Sequence, residues 1–374
     1  MARLRMRIQL GRARVWRWKL VSLPACEGAS YKIYYAGTKE QQWRASALLG
    51  LDGIQNGDLA VAARQQPIAI KATSASLAFA PEAVLLSEAP IPGAIRVPWW
   101  FDTPVPLKRP MEEILETYNE KLRLRLLKQR GNYRVRQVLS EAEIAEINRS
   151  MLVPYAIARH GEHTVGVKLD KVRRIARGDC AGRLDLVEKD GEPVACHLGS
   201  ELEWKRKRYW IAIRFGFPEK VFNDPKQRSD INSINTFLAM EWAHQHGYDY
   251  YDMGGAFAKP ENGLMQWKRR RGAGLDLREN EGFFHVRLCR NGAAEFLWDS
   301  PLFASEKKGI VLHLGVPVGS NDDGVHQRYR EMGYDVVKVY LHCARPPGDR
   351  LVVTVRHIFA HLDSPPPIEV VTCS

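Results

Sequence analysis

Residues 248–274, with the sequence YDYYDMGGAFAKPENGLMQWKRRRGAG, contain the features that decide the predicted fold. The stretch begins as an apolar strand, breaks at a Gly-Gly pair, and ends in consecutive cations followed by glycines. Residues 229–247, which precede it, have the apolar spacing of an amphipathic helix. A helix, a buried strand and a cationic glycine loop in this order predict a site for an anionic or carbonyl-bearing ligand.

The composition is that of a globular protein with an excess of positive charge. The chain has 374 residues, of which 45% are apolar and 26% are charged, and its formal net charge is +12. This length is sufficient for two domains. The charge favours an anionic partner such as nucleic acid, a phosphorylated substrate or an acidic membrane face, although arginines on solvated faces would give the same total.

The cysteines and the apolar runs bear on location and on metal binding. None of the cysteines forms a Cys-x-x-Cys pair or stands near a histidine at zinc-ligand spacing, so we expect no metal site. Reduced thiols of this kind are typical of a cytoplasmic protein. No apolar run reaches about 18 residues, which predicts no integral membrane contact, and the Arg-rich start lacks the apolar core of a signal peptide. The cysteines are Cys26, Cys180, Cys196, Cys289, Cys343 and Cys373.

The elements that lead to this stretch can be predicted from local patterns. A basic helix is predicted over 107–130, and Ser140 with Glu143 has the spacing of a capping box for the next helix. Asp190-Gly191, between two strand-like runs, predicts a hairpin. The later elements are predicted as a strand at 209–217, a helix at 229–247 and a strand at 248–253.

This succession resembles the GNAT (acyl-CoA N-acyltransferase) superfamily, and more closely its Fem-like and BioF2-like branch. The likeness covers residues 107–345, and its specificity comes from the order of motifs that are each weak alone. Gly263-Leu264 before the lysine also suits the pattern. The motifs are a basic helix at 122–131, a proline-and-arginine segment at 154–161, the acidic-Gly-Gly end of a strand at 252–255 and a Lys-Arg motif closed by glycine at 268–272.

The resemblance implies an α/β fold with a central, twisted mixed sheet. Its two central parallel strands, here 209–217 and 248–253, would splay apart and admit the carbonyl group of the donor, and a right-handed crossover would join them. The resemblance also implies a tandem arrangement. We expect a diverged GNAT-like half-domain at 1–105, a complete GNAT-fold acyltransferase domain at 106–362 and a flexible tail at 363–374.

The implied activity is amide formation by acyl transfer to an amine. In the family the matching lysine lies near the reacting carbonyl, so Lys268 is the predicted polarising group. Asp252, at the end of a strand, is predicted to accept or orient the proton of the amine. The structural alternatives are a solvated cationic run for Lys268 and a turn cap for Asp252.

Further residues are predicted to hold the substrates. Glu201 and Glu203 share a strand face and are candidate bases if that face lines the cleft, or a solvent-facing pair if it does not. His160 is a candidate base at neutral pH or a structural histidine. The predicted substrate-binding residues are Arg159, His160, Glu201, Glu203, Tyr209 and Trp267. The predicted residues for donor phosphate are Lys226, Arg228, Arg269 and Arg271.

The donor is predicted to be aminoacyl-tRNA or an acyl-CoA or carrier thioester, with no tightly bound cofactor. Family members that use acetyl-CoA cradle its pyrophosphate in a glycine loop before the crossover helix, whereas residues 225–230, PKQRSD, contain no glycine. This departure and the net charge favour aminoacyl-tRNA. The acceptor is an amine of a small molecule or a peptide. The alternative is a non-catalytic RNA-binding or scaffold protein on an inactive GNAT fold, with tryptophans stacked on bases.

Overall fold

The computed structural model describes residues 19–23, 25, 29–49, 82–160, 168–278, 280–289, 291–362 and 364–373. The chain divides into two compact units, and each is discontinuous in sequence. The first unit comprises residues 1–101, 256–266 and 277–374, and the second comprises residues 102–255 and 267–276.

The strands and helices of the described residues are numbered in chain order. The strands are β1 (Lys19–Leu23), β2 (Lys32–Gly37), β3 (Ala83–Ser87), β4 (Ile95–Pro98), β5 (Trp100–Phe101), β6 (Pro104–Pro106), β7 (Tyr133–Gln137), β8 (Arg183–Lys189), β9 (Glu192–Trp204), β10 (Lys207–Gly216), β11 (Tyr250–Asp252), β12 (Ala256–Phe257), β13 (Phe283–Arg287), β14 (Leu302–Glu306), β15 (Gly309–Val316), β16 (Lys338–Cys343) and β17 (Ile368–Thr372). The helices are α1 (Lys39–Leu49), α2 (Met111–Glu116), α3 (Glu120–Gln129), α4 (Glu141–Ile147), α5 (Val153–His160), α6 (Leu169–Ala176), α7 (Glu219–Phe222), α8 (Pro225–Gln245), α9 (Gly263–Arg269), α10 (Ala293–Asp299), α11 (Asp322–Tyr329) and α12 (Asp349–Ile358).

The second unit is built on a six-stranded mixed sheet in the order β6-β11-β10-β9-β8-β7. Strands β7 to β10 are antiparallel to their neighbours in this meander. Helix α8 then connects β10 to β11, which is parallel to β10, and β6 pairs antiparallel with the other edge of β11. The predicted α/β fold with a central parallel pair is therefore confirmed.

The hairpin and the crossover helix follow from their local sequences. Asp190 and Gly191 have positive φ angles of 51° and 82°, and they form the two-residue turn between β8 and β9 that an Asp-Gly pair favours. The inner face of α8 packs in the core of this unit through Ile234, Phe237 and Met240. Each such buried side chain contributes about 1.5–3 kcal/mol.

The first unit contains two larger sheets and one short pair. One sheet has the order β1-β2-β3-β13-β4, and the other has the order β14-β15-β16-β17 with its last three strands parallel. Strands β5 and β12 pair with each other. The core of the first sheet includes the buried residues Tyr35, Val84 and Phe284. The predicted relation of the N-terminal part of this unit to the GNAT fold stays a prediction.

The unit boundaries differ from the predicted domain boundaries at 105 and 362. The reason is that β13, from the later part of the chain, inserts between β3 and β4. The expected flexible tail at 363–374 also differs from the structure, since β17 pairs in parallel with β16. The β-branched residues Ile368, Val370 and Val371 favour a strand, and the edge of β16 offers its backbone groups to them.

The helices of the described residues are short, apart from α8. The single helix predicted over 107–130 is two helices, α2 and α3, and the side chain of Asn119 caps the second by accepting from the N–H of Lys121. None of the helices in the described ranges combines the length and the apolar character needed to span a bilayer.

Candidate active site

The two central strands of the second unit pair briefly and then part. The parallel register of β10 and β11 runs from Tyr209–Tyr250 to Ile211–Asp252. At this point β11 ends, whereas β10 continues along β9 to Gly216. The region between residues 213–216 of β10 and residues 253–255 after β11 is called the strand opening; at its closed end a Cβ atom on Gly254 would lie 3.6 Å from the carbonyl oxygen of Ala212.

A β-bulge lies in β10 where the strands part. The register with β9 shifts between Ala212 and Arg214, so that Ile213 is the extra residue. A bulge bends its strand and takes backbone groups out of the ladder. Because β11 has ended, backbone groups on that edge of β10 lack a neighbouring strand and can pair with a substrate carbonyl or amide.

Asp252 holds the turn that borders the strand opening. Its buried carboxylate accepts through Oδ1 from the N–H of Gly254 at 2.8 Å and from the N–H of Thr103 at 3.4 Å. The hydroxyl of Thr103 donates to the carbonyl of Gly254 at 2.6 Å. Gly254 has a φ of 77°, a backbone conformation that residues with a side chain rarely adopt. The turn-cap alternative for Asp252 is thus observed, and its role toward the amine proton stays a prediction.

Lys268 is buried and is directed at the same turn. Its Nζ donates to the carbonyl oxygens of Gly254 at 2.6 Å and of Gly255 at 2.9 Å, and only 3% of the residue is exposed. An ammonium group withdrawn from water requires such partners, because its desolvation otherwise costs several kcal/mol. The alternative of a solvated cationic run is therefore wrong for this residue, which places positive charge at the edge of the strand opening.

The cations that follow Lys268 differ in exposure. The guanidinium of Arg271 is buried, lies 3.7 Å from the ring centroid of Trp267, and donates to the carbonyl of Trp267 and the hydroxyl of Ser233. Burial lowers the pKa of Arg271 to about 10. Arg271 and Trp267 therefore join this segment to α8, and this geometry gives no support to the predicted phosphate contact of Arg271. Arg269 is half-buried and Arg270 is exposed.

The N-terminus of α8 is capped by the protein itself. The carboxylate of Asp224 accepts from the N–H groups of Lys226 and Gln227 at 2.9 and 3.0 Å. An acidic cap there neutralises the positive end of the helix dipole, which disfavours a phosphate. The side chain of Arg228 donates to the carbonyl of Phe222 at 3.1 Å. The phosphate contacts of Lys226 and Arg228 stay predictions.

The two glutamates of β9 have different environments. Arg208 donates to both carboxylate oxygens of Glu201 at 3.1 and 3.0 Å, and Tyr248 donates to one of them at 3.0 Å. The hydrogen bond from Arg208 lowers the pKa of Glu201, which makes it a weak base. Glu203 is exposed and lies opposite Arg208 in the β-ladder.

The remaining predicted substrate-binding residues lie on β10 and α5. Tyr209 is buried and stacks on Tyr250 with ring centroids 4.7 Å apart and planes 13° from parallel. Arg159 and His160 end α5, and their side chains lie outside the described part of the chain.

Sequence reasoning did not connect four buried polar residues that lie between α8 and its sheet, and it named one of them, Trp210, only as a candidate for stacking on bases. They come from four different elements, so no local spacing connects them, and His197 alone offers a weak signal as a polar residue in an apolar strand. Within the described ranges, no three His, Cys, Asp or Glu side chains are arranged to hold a metal ion. The four residues are His197, Trp210, Asn235 and Tyr251.

No family model matches the chain, and no curated protein matches it. Among solved structures, FemX is similar with 13% identity and a TM-score of 0.39, over 71% of this chain and 83% of that chain. L-PGS from Bacillus licheniformis is similar with 13% identity and a TM-score of 0.35, over 71% of this chain and 79% of that chain. A GCN5-related N-acetyltransferase from Kribbella flavida has 14% identity and a TM-score of 0.27, over 76% of this chain and 93% of that chain.

These similarities are too low to indicate an activity, so the fold is assigned from the topology. The meander β7 to β10, the crossover helix α8, and the strand β11 that is parallel to β10 and parts from it are the arrangement that the sequence motifs imply. The second unit therefore has a GNAT-like fold.

Proposed function

We propose that this protein is an amide-forming N-acyltransferase. It moves an aminoacyl group from aminoacyl-tRNA, or an acyl group from acyl-CoA or a carrier thioester, to an amine. The observation that supports this proposal is the strand opening, where β11 ends at Asp252 while the bulged β10 continues to Gly216. An ester or thioester carbonyl that enters the opening can accept from backbone N–H groups of β10, which polarises it toward attack.

In the proposed reaction one bond to the carbonyl carbon forms, one breaks, and one proton is transferred. The amine nitrogen forms a bond to the carbonyl carbon, and the bond from that carbon to the ribose oxygen or the thioester sulfur breaks. The amine loses a proton, and the leaving oxygen or sulfur gains one. Lys268 supplies positive charge next to the developing oxyanion, and Asp252 accepts the proton of the amine at the same turn.

The proposed donor is aminoacyl-tRNA, and two observations support this choice. The carboxylate of Asp224 occupies the N-terminus of α8, where a pyrophosphate would otherwise find free N–H groups. The formal net charge of +12 suits a polyanionic donor. The predicted acceptor is an amine of a small molecule or a peptide.

Single-turnover transfer tests the proposal. Labelled aminoacyl-tRNAs and a panel of acyl-CoAs are mixed with the protein and with amines of each predicted class, and the amide product is detected by mass. Asp252→Asn keeps the Oδ1 acceptor for the turn but removes the charge, so we expect transfer to fall about 10²–10⁴-fold with folding intact. Asp322→Asn in the first unit is the matched control, and its transfer rate is expected to equal that of the native chain.

Lys268 is tested with two variants. Lys268→Met removes both hydrogen bonds to the turn, and we expect slower transfer together with a loss of about 2–3 kcal/mol in the free energy of unfolding. Lys268→Arg keeps the charge and should retain more of the transfer rate and of the stability than Lys268→Met. Lys308→Met, at an exposed position, should change neither the transfer rate nor the stability. Absence of transfer from every donor contradicts the proposal, and tight tRNA binding without transfer would favour the RNA-binding alternative.

A further inference from the structure

Four buried polar side chains lie between α8 and its sheet: the rings of His197, Trp210 and Tyr251 are neighbours, and Asn235 of α8 binds the backbone of Cys196, the residue before His197. His197, Trp210, Asn235 and Tyr251 are each at most 1% exposed. Polar atoms of all four lack a hydrogen-bond partner among the described residues: both ring nitrogens of His197, Nε1 of Trp210, Oδ1 of Asn235 and Oη of Tyr251. An unpaired buried polar group costs about 1–3 kcal/mol, so this cluster carries a cost that a ligand with matching groups would remove.

The cluster borders the strand opening. The ring centroid of His197 lies 5.2 Å from that of Phe215 and 6.3 Å from that of Tyr251. Phe215 belongs to the part of β10 beyond the last pair with β11, whereas Tyr251 belongs to β11 itself. The imidazole of His197 therefore lies next to both strands at the place where they part.

Two polar ring edges of the cluster converge on Gly199. A Cβ atom at this glycine would lie 2.6 Å from Cε2 of Trp210 and 2.8 Å from Cε1 of His197. The unpaired Nε1 of Trp210 is bonded to Cε2, and Cε1 of His197 lies between the two unpaired nitrogens of its ring. The absence of a side chain at residue 199 thus lets these nitrogens approach each other from neighbouring strands.

The four side chains offer donors and acceptors but no charge of their own, and the nearby Arg183, whose charge also lowers the pKa of His197, is paired with Asp185. Burial lowers the pKa of His197 to about 3 and raises that of Tyr251 well above its ordinary value, so both are neutral near pH 7. The Nδ2 group of Asn235 donates to the carbonyl of Cys196 at 3.1 Å, which directs its Oδ1 away from that contact. Trp210 and Tyr251 can donate, Asn235 can accept, and His197 can do both.

A ligand that satisfies this cluster must be uncharged and must both donate and accept hydrogen bonds. An aliphatic group would leave the polar atoms unpaired, and a charged group would lose its hydration without gaining a counter-charge from these four residues. A hydroxyl or a carboxamide meets both requirements.

We propose that this cluster is the pocket for the transferred group of the donor, and that it selects aminoacyl or acyl groups that carry a hydroxyl or a carboxamide. The inference rests on the proposed acyl transfer, because it assigns the pocket to the group that enters the strand opening. His197, Trp210, Asn235 and Tyr251 are the specificity-determining residues.

Transfer from matched donor pairs tests this specificity. Threonyl-tRNA and valyl-tRNA differ by a hydroxyl in place of a methyl group, and asparaginyl-tRNA and aspartyl-tRNA differ by the charge of a side chain of nearly the same shape. On the thioester side, 3-hydroxybutyryl-CoA and butyryl-CoA are the corresponding pair. We expect kcat/KM for the hydroxyl or amide donor to exceed that of its counterpart at least about tenfold.

The variants Tyr251→Phe and His197→Phe are expected to reduce this ratio to near one by weakening transfer of the polar donor. Tyr251→Phe removes only an unpaired hydroxyl, so its melting temperature should be equal to or higher than that of the native chain, which also checks folding. The control for Tyr251 is Tyr250→Phe, whose ring stacks on Tyr209. The control for His197 is His285→Phe in the first unit, which also has an unpaired ring nitrogen among the described residues.

The possible results distinguish a failure of the pocket proposal from a failure of the acyltransferase proposal. Transfer with no preference within the pairs, or a preference that survives both variants, overturns the pocket while the acyltransferase proposal stands. A preference for the aliphatic or the charged member also overturns it. No transfer from any donor removes both proposals together.

Discussion

Burial lowers the pKa of His197 to about 3, against an ordinary value of 6.5. Between these values the unfolded chain binds a proton that the folded chain does not, so the free energy of unfolding decreases as the pH falls. The slope reaches about 1.4 kcal/mol per pH unit for one such group. Above the ordinary pKa both states are neutral and the contribution disappears.

We therefore expect His197→Phe to flatten the acid side of the stability curve. Urea unfolding, followed from about pH 8 to about pH 4, should show a smaller loss of stability in the variant than in the native chain. Burial also lowers the pKa of His313, in the first unit, to about 3, so His313→Phe, which also removes the hydrogen-bond partner of the buried His342, is a second test. Parallel curves for the native chain and both variants would contradict the prediction.

At the scale of elements, Gly199 determines how closely the side chains of β9 and β10 approach. In Gly199→Ala the new methyl group would lie 2.6 Å from two ring carbons of Trp210, and the ring belongs to the core and cannot move freely. We expect a loss of about 1–3 kcal/mol in the free energy of unfolding, measured by thermal or urea denaturation.

Gly131→Ala is the matched control, because a Cβ atom at Gly131 would meet nothing within 4 Å. Its stability should stay within about 0.5 kcal/mol of the native value. A Gly199→Ala variant as stable as this control would show that the rings of Trp210 and His197 can move apart, and that the close approach described for the cluster is not maintained.

Elements whose determinants are local were predictable from the sequence. Asp190-Gly191 identified the hairpin, and the apolar spacing of 229–247 identified the crossover helix before a short strand. The capping box of Ser140 and Glu143 was wrong, because Ser140 makes no capping hydrogen bond through its side chain and Glu143 binds Arg136 on β7 instead. A local motif does not reveal a cross-element ion pair that competes for the same carboxylate.

The candidate site was predictable only where a motif passes through it. Lys268 and Asp252 could be predicted because they lie in one short stretch that carries the family resemblance. His197 and Asn235 lie on different elements, and the contact of Asn235 with the carbonyl of Cys196, the residue before His197, depends on the packing of α8 against the sheet. Such long-range contacts leave no periodic signal along the chain.

At the scale of the whole molecule, the formal net charge of +12 predicts how donor binding responds to salt. A protein that neutralises several phosphates releases their counterions, so the logarithm of its affinity falls linearly with the logarithm of the salt concentration. We expect affinity for tRNA to fall by about 10²-fold or more between about 50 and 200 mM salt, measured by fluorescence titration.

Paired substitutions can distinguish the effect of where positive charge lies from the effect of the total net charge on tRNA binding. Lys121 and Lys128 are exposed on α3 in the second unit, and Lys307 and Lys308 are exposed in the turn between β14 and β15 in the first unit. Changing either pair to glutamate alters the net charge by the same amount. If α3 contacts the tRNA backbone, Lys121→Glu with Lys128→Glu should lower the slope of the salt dependence by about one per lost phosphate contact. Lys307→Glu with Lys308→Glu should leave the slope close to the native value.

Equal effects of the two pairs on the slope would mean that the attraction for tRNA depends on the total charge alone. A flat salt dependence of the native chain would exclude tRNA as the donor and leave the thioesters.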